Sequence, residues 1–261
     1  MLNKVVFPGL EAFSANELLE IAKQAGKAIL EVYNGGEIAV TLKNDQSPLT
    51  LADQASNDVI VAGLKKLTPR VPVISEEERD IPFETRKHYT YYWCVDPLDG
   101  TKEFIKRNGE FTVNIALMKD NKPAFGVIYL PVTGELYYGG NSMGSFKEDA
   151  AGTNIRLKVN AQTVVWTAVG SRSHASEEEI AVLKQYPIGE TVSVGSSIKF
   201  CLIAEGKAHF YYRHGPTMEW DTAAGQAIAE GAGAVMTTPT GEPFMYNKPS
   251  LLNGSFLVKV K

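Results

Sequence analysis

The chain has little of several features that define particular protein classes. Its only two cysteines, Cys94 and Cys201, both lie in apolar segments, which predicts buried thiols and disfavours a disulfide framework or a zinc site. No apolar run reaches the length of a membrane span. Residues 1–13 contain Lys4 as their one basic residue and show no signal-peptide pattern. We therefore expect a cytoplasmic protein without a transmembrane segment, and the sequence leaves peripheral association with a membrane open.

The chain also lacks an excess of positive charge. It carries 26 Lys and Arg against 30 Asp and Glu, for a net charge of -4. This charge gives no positive electrostatic potential that would attract long nucleic acids, and it disfavours an RNA-binding module. Its 261 residues are 44% hydrophobic, enough for a substantial core, and no internal repeat is present. A small anionic partner would have to be met by local cations.

Periodicity indicates how the chain is organised. Capping patterns predict amphipathic helices from Ser14 and from Thr50. Alternating runs at 111–118 and 123–130 predict an antiparallel hairpin, and the polar, glycine-containing segment 148–154 is a candidate boundary. Beyond it strands and helices alternate. The prediction is an α/β (α+β) protein with an α+β half over 1–150 and an α/β half over 151–261.

The most informative stretch is Asp96-Pro97-Leu98-Asp99-Gly100-Thr101, which follows a predicted buried strand. Pro97 restricts its own backbone and that of Asp96, so the two carboxylates can be held close together. Their repulsion calls for a proton or a cation, and an all-oxygen donor set suits magnesium. Backbone N–H groups of Gly100 and Thr101 open a short predicted helix and suit a phosphate. The alternative is an acidic turn that only caps this helix.

Three further acidic residues occupy strand ends or helix starts. Asp53 falls in the first turn of the second helix, Glu76 follows a predicted strand at 71–74, and Asp221 opens a helix rich in small residues. Taken singly, each is explained as a cap or a solvated turn. Taken with Asp96 and Asp99, they lie where one site could collect them.

These motifs resemble a known family. Asp96-Pro97-Leu98-Asp99-Gly100-Thr101 is similar to the signature of magnesium-dependent, lithium-sensitive phosphatases related to inositol monophosphatase, and Thr50-Leu51-Ala52-Asp53 and Trp220-Asp221-Thr222-Ala223-Ala224 match two further motifs. The continuation Lys102-Glu103-Phe104 most resembles the branch that hydrolyses adenosine 3',5'-bisphosphate. The resemblance covers nearly the whole chain and implies a layered α-β-α-β-α sandwich of the inositol monophosphatase and sugar phosphatase type.

The resemblance also implies roles for individual residues. Two or three magnesium ions would be held by Glu76, Asp96, the Leu98 carbonyl, Asp99 and Asp221, with Glu77 as the alternative to Glu76 because three glutamates leave the register open. Asp53 and Thr101 would activate water, and Gly100 and Thr101 would hold the phosphate being removed. The nucleotide contacts would be Arg172, His174, Ser196, Lys199 and Arg213.

The function so implied is removal of the 3'-phosphate of adenosine 3',5'-bisphosphate, giving AMP and phosphate, by an enzyme that we expect to be a monomer. An inositol or sugar monophosphatase is the alternative within the same chemistry. A non-catalytic nucleotide sensor is the alternative outside it, and the pairing of Asp53 with Thr101 argues against a protein that only binds.

Overall fold

The computed structural model describes residues 4–35, 40–42, 48–78, 81–170 and 176–261. The helices are α1 (Ala15–Asn34), α2 (Leu51–Leu67), α3 (Phe83–Arg86), α4 (Thr101–Ile105), α5 (Glu177–Leu183), α6 (Ile198–Ala204) and α7 (Glu219–Gly231). The strands are β1 (Val40–Leu42), β2 (Pro48–Thr50), β3 (Val73–Ser75), β4 (Tyr91–Asp99), β5 (Thr112–Lys119), β6 (Lys122–Leu130), β7 (Glu135–Gly140), β8 (Gly144–Glu148), β9 (Asn154–Arg156), β10 (Trp166–Gly170), β11 (Ile188–Ser193), β12 (Phe210–Arg213), β13 (Ala234–Thr237) and β14 (Phe256–Val260).

The larger sheet has seven strands in the order β3-β4-β5-β6-β7-β8-β9. β3 runs parallel to β4, and every later neighbour is antiparallel. The predicted hairpin joins β5 to β6 through Asp120 and Asn121, whose φ angles of 49° and 60° suit a tight turn. Strand β9 pairs with β8, so this sheet runs on to Arg156, past the predicted boundary at residue 150. The division into two halves stays a prediction.

The smaller sheet has the order β11-β10-β12-β14-β13. Strands β10, β11 and β12 are parallel, whereas β14 is antiparallel to both of its neighbours. Parallel strands place their carboxyl ends at one edge of a sheet. Arg213 ends β12 at this edge, and the connection from β11 leads there into α6.

Five alternating layers follow from how the apolar residues are shared. Side chains of β4 alternate, so that Trp93 and Val95 pack beneath α1 and α2, while Tyr92 and Cys94 face the layer of α6 and α7 between the two sheets. A separate cluster under α5 covers the outer face of the smaller sheet. This order confirms the predicted α-β-α-β-α sandwich and the mixed α/β class.

Close packing of α7 on the larger sheet depends on small residues. A Cβ atom added at Gly126 of β6 would lie 2.4 Å from the Ala224 carbonyl oxygen of α7, a distance at which two atoms overlap. Cys94 and Cys201 are buried free thiols, as the sequence predicts. Within the described part of the chain, no helix is both long and apolar enough to traverse a membrane.

Candidate active site

The predicted catalytic turn, residues 96–101, lies where β4 leaves the larger sheet. The pairing of β4 with β5 shifts its register between Asp96 and Asp99, because Pro97 cannot donate to a ladder hydrogen bond. The Asp96 carboxylate accepts from the Leu98 N–H at 3.0 Å. Gly100 then adopts a φ of +96°, which favours glycine, and α4 begins at Thr101. The sequence thus places both carboxylates at the end of one buried strand.

Asp53 lies at the third position of α2, where it both caps the helix and contacts Thr101. Its Oδ2 accepts from the Thr50 N–H at 2.8 Å and from the Thr50 hydroxyl at 2.7 Å. Its Oδ1 is 3.2 Å from the Thr101 hydroxyl, which is also 3.4 Å from the Leu98 carbonyl oxygen. The two residues predicted to activate water are therefore in contact, although Asp53 and Thr101 come from different elements.

The Ser56 hydroxyl fixes the catalytic turn against α2. It donates to the Pro97 carbonyl oxygen at 2.7 Å, and Ser56 is completely buried. This bond links the helix that carries Asp53 to the turn that carries Thr101.

The predicted metal ligands act on one another electrostatically. Burial raises the pKa of Asp96 well above its usual range, and the charges of Glu76, Asp99, Asp221 and Asp53 raise it further. Burial and the charge of Asp99 likewise raise the pKa of Asp221, whose carboxyl group is hydrogen-bonded to Asp96. The five predicted acidic residues therefore share one region of the structure.

Glu76 follows β3, and its N–H donates to the Val95 carbonyl oxygen of β4 at 3.1 Å. Its charge acts on Asp96, Asp99 and Asp221. The Glu77 N–H instead bonds to the Ser75 hydroxyl at 3.3 Å. These contacts support Glu76 over Glu77 as the predicted ligand.

Asp221 is at the third position of α7, and the N-cap is Met218. The sequence-based alternative that Asp221 is itself the N-cap is therefore wrong. The Met218 N–H donates to its Oδ2 at 2.8 Å, so the carboxylate reaches back over the first turn of the helix.

Asp99 is the acidic residue that faces the cations. Burial raises its pKa to about 6, against the opposing effects of the Lys199 charge, a hydrogen bond from the Asn114 amide and one from the Ser197 N–H. Asn114 Nδ2 lies 3.3 Å from Asp99 Oδ2. Asp99 thus connects the carboxylate cluster to the C-terminal half.

The donor chemistry fits a hard divalent cation. The carboxylates of Glu76, Asp96, Asp99 and Asp221 are oxygen donors, and desolvation together with mutual repulsion raises the pKa of Asp96, Asp99 and Asp221. A bound cation would remove that repulsion. In the described segments, no three acidic, histidine or cysteine side chains already enclose a common point that could hold an ion. The assignment of individual ligands therefore stays a prediction.

A cleft of about 190 Å³ brings the carboxylates together with the predicted nucleotide contacts. Its walls include six of the predicted residues: Asp99, Gly100, Ser196, Lys199, Arg213 and Asp221. The acidic side chains of Asp99, Glu103 and Asp221 line it together with the basic side chains of Lys199 and Arg213. A larger cavity of about 690 Å³ near Arg70 and Tyr91 lies at the opposite end of β4, away from these residues.

Lys199 is held by its own loop. It is buried, and its Nζ donates to the Ser196 carbonyl at 2.7 Å and to the Val194 carbonyl at 3.1 Å. Burial lowers its pKa. Ser196 has a φ of +43°, which is uncommon for a non-glycine residue, and its buried hydroxyl oxygen has no hydrogen-bond partner among the described residues. Such strain is typical of a ligand-binding turn.

Arg213 enters the cleft from the end of β12. Its Nη1 lies 4.0 Å from Glu179 Oε1, and this buried glutamate also accepts from the His214 N–H at 3.2 Å. Arg172 and His174, the remaining predicted nucleotide contacts, lie outside the described residues.

Several polar residues of the site were not singled out by the sequence analysis. Asn114 and Ser197 contact Asp99, and Glu110 Oε2 accepts from the Gly195 N–H at 2.8 Å. Glu103, which the sequence analysis named only as part of the Lys102-Glu103-Phe104 segment and gave no role, also lines the cleft. Asn114 lies in an alternating strand pattern, which predicts that a polar residue faces solvent. In the structure Asn114 is buried. The available signal was that this asparagine is flanked on both sides by apolar residues of a central strand.

Comparison with known proteins places these observations in a family. Residues 14–259 match the model of the inositol monophosphatase family. The chain is 46% identical over 246 residues to the "3'(2'),5'-bisphosphate nucleotidase CysQ" of Salmonella typhimurium, covering 94% of this chain and 98% of that protein. It is 47% identical over 248 residues to the protein of the same name from Escherichia coli K12, covering 94% and 99%.

Solved structures agree. The crystal structure of CysQ from Bacteroides thetaiotaomicron, described as a bacterial member of the inositol monophosphatase family, superposes with a TM-score of 0.83 at 42% identity and covers 95% of this chain and 97% of that one. The predicted resemblance to the nucleotidase branch is confirmed by these relatives, and the chain belongs to the inositol monophosphatase family.

Proposed function

We propose that this chain is a magnesium-dependent, lithium-sensitive phosphatase that removes the 3'-phosphate of adenosine 3',5'-bisphosphate, giving AMP and phosphate. The observation that carries the proposal is the cleft that Asp99 and Asp221 line together with Lys199 and Arg213. A substrate with two phosphates needs an acidic, cation-binding side for one and a basic side for the other. The names of the CysQ relatives support the same substrate class.

Glu76, Asp96, the Leu98 carbonyl, Asp99 and Asp221 would hold Mg²⁺, in two or three ions. When bound, Mg²⁺ supplies charge neutralisation at the phosphate oxygens and lowers the pKa of water. The raised pKa values of Asp96 and Asp221 show that ionisation of these carboxylates is unfavourable without a counter-charge. A bound cation would therefore stabilise their ionised form at neutral pH.

Asp53 and Thr101 would handle the proton of the attacking water. Asp53 Oδ1 accepts from the Thr101 hydroxyl, which orients a Thr101 lone pair towards a water molecule. As the water oxygen bonds to phosphorus, its proton passes to Thr101 and the Thr101 proton passes to Asp53. The bond from phosphorus to the ribose O3' breaks in line, and that oxygen takes up a proton from solvent water, while Asp53 later returns its proton to solvent.

The remaining groups would bind and orient the substrate. Backbone N–H groups of Gly100 and Thr101 would hold the phosphate being removed. Lys199 and Arg213, with Arg172 and His174, would hold the 5'-phosphate and the base, and Ser196 would offer its hydroxyl. We also infer that the enzyme acts as a monomer in the cytoplasm.

Phosphate release tests the proposal directly. Adenosine 3',5'-bisphosphate and inositol 1-phosphate are compared at equal concentration in Mg²⁺, each with and without Li⁺ and with EDTA. We expect fast phosphate release from the nucleotide and inhibition of this release by Li⁺. We expect no phosphate release in EDTA. Preference for inositol 1-phosphate would overturn the substrate assignment and favour a monophosphatase. No release from either, in protein that still binds the nucleotide with Mg²⁺, would favour the sensor.

A further inference from the structure

Three residues form a ring of contacts at the junction of the two sheets. The Ser197 hydroxyl donates to Asn114 Oδ1 at 2.7 Å, the Asn114 amide donates to Asp99 Oδ2 at 3.3 Å, and the Ser197 N–H lies close enough to the Asp99 carboxylate to oppose the rise of its pKa. Asn114 belongs to β5 of the larger sheet, whereas Ser197 is the N-cap of α6. The ring therefore ties the predicted metal ligand Asp99 to the C-terminal half.

The direction of each bond follows from the groups present. A carboxylate only accepts hydrogen bonds, so the Asn114 nitrogen faces Asp99 and the Asn114 oxygen is left for Ser197. Since the single hydroxyl proton of Ser197 goes to Asn114, the Thr112 hydroxyl, 2.8 Å away, donates to Ser197. Thr112, Asn114 and Ser197 are 0%, 1% and 1% exposed. Water has no access with which to replace a lost partner.

The short segment that contains Ser197 also lines the cleft. Residues 194–199 include Ser196 and Lys199, and Lys199 Nζ closes the segment by donating to the Val194 and Ser196 carbonyls. Gly195 is held from the other side by Glu110. A ligand that shifts or orders this segment therefore acts on Ser197, which follows Ser196 in the chain and is linked to Asp99 through Asn114.

We propose that Asn114 and Ser197 are positioning residues that couple segment 194–199 to the Asp99 carboxylate, so that nucleotide binding and Mg²⁺ binding strengthen each other. The inference rests on the proposed function for the roles of Asp99 and of the cleft. Coupling of this kind is reciprocal, because each ligand must change the affinity for the other by the same factor.

The test is a titration of thermal stability that needs no turnover. The melting temperature is followed against Mg²⁺ concentration, with and without AMP, for the unmodified protein, for Ser197→Ala and for Asn114→Ser. In the unmodified protein AMP lowers the Mg²⁺ concentration at half-maximal shift by about 5-fold or more. Ser197→Ala, which keeps the backbone N–H, reduces this ratio to about 2-fold or less, and Asn114→Ser does the same.

Thr112→Val is the matched control. It removes a hydroxyl that bonds to Ser197 but leaves the Ser197–Asn114 and Asn114–Asp99 hydrogen bonds intact. We expect a lower melting temperature with the AMP effect on Mg²⁺ retained, which separates positioning from stability alone.

Three results would overturn the inference: an unchanged ratio in either ring variant that folds, loss of the ratio in Thr112→Val, or absence of coupling in the unmodified protein. Coupling in a protein that releases no phosphate from adenosine 3',5'-bisphosphate would instead refute the proposed function and leave the inference standing.

Discussion

Replacing Asp53 with asparagine separates the helix-capping role of this side chain from its proposed catalytic role. Asp53 Oδ2 accepts two bonds from Thr50, and Oδ1 accepts one from Thr101. Asparagine has the same shape and one carbonyl oxygen, which can take over both bonds to Thr50. Its amide nitrogen then faces the Thr101 hydroxyl. That nitrogen cannot accept a proton, so the hydroxyl turns to the Leu98 carbonyl.

The two roles predict effects of very different size. Asp53→Asn keeps the cap and loses one hydrogen bond, which costs about 1 kcal/mol of stability. Loss of a general base lowers kcat by about 10²- to 10⁴-fold. Asp53→Ala also removes the bonds to Thr50 and costs about 2 to 3 kcal/mol, since a lost cap alone costs about 1 to 2 kcal/mol. Activity therefore falls in both variants, but stability falls mainly in the second.

The assay measures kcat for adenosine 3',5'-bisphosphate in saturating Mg²⁺ together with the free energy of unfolding in urea. Ser14→Ala supplies the matched control. Ser14 caps α1 through the Glu17 N–H and takes no part in the site, so its loss should cost about 1 kcal/mol with kcat unchanged. An Asp53→Asn variant with kcat within about three-fold of the unmodified enzyme would show that Asp53 only caps α2.

Three further predictions concern charge and packing. Arg213→Ala should raise KM for the bisphosphate about 10-fold or more with little change in kcat, because a cleft cation adds binding away from the reacting bond; a large kcat loss would contradict this. The Asp99 pKa of about 6 lies above its ordinary 3.8, so metal-free protein should lose stability as pH rises through about 6. Its melting temperature in EDTA should be higher at pH 5 than at pH 7.5, and a flat profile would refute the shift. Gly126→Ala, which drives a Cβ into the Ala224 carbonyl, should cost about 1 to 3 kcal/mol in urea unfolding, and an unchanged midpoint would contradict the close packing of α7.

Local signals in the sequence predicted most of the fold. Helices α1 and α2 begin after the residues identified as caps, Ser14 and Thr50, because capping uses neighbours within one turn. The hairpin between β5 and β6 was readable for the same reason. The layer order could not be predicted from periodicity. The pattern of Tyr92 to Val95 is apolar on both faces of the strand and does not indicate which helix covers each face. It came from the family resemblance.

The site was predictable where its residues are close in sequence or belong to a motif. Asp96 and Asp99 share one turn, and the motif predicted that Asp221, whose pKa the Asp99 charge raises, would lie near them. The ring of Asp99, Asn114 and Ser197 was missed because 83 residues separate Asn114 from Ser197 and both lie in segments whose local pattern is an ordinary strand or helix start. Only the tertiary fold, which places α6 in the layer between the two sheets, brings them together.

Asp53 and Asp221 use the same local geometry on different helices, and this explains how single residues combine capping with site chemistry. Each lies at the third position of its helix, and each Oδ2 accepts the N–H of the N-cap residue, Thr50 or Met218, at 2.8 Å. That bond fixes the carboxylate against its own helix. In Asp53 the other oxygen then points to Thr101, and the Asp221 carboxyl contacts Asp96. The cap therefore orients each carboxylate, so the capping interpretation is compatible with the proposed roles of Asp53 in water activation and of Asp221 as a metal ligand.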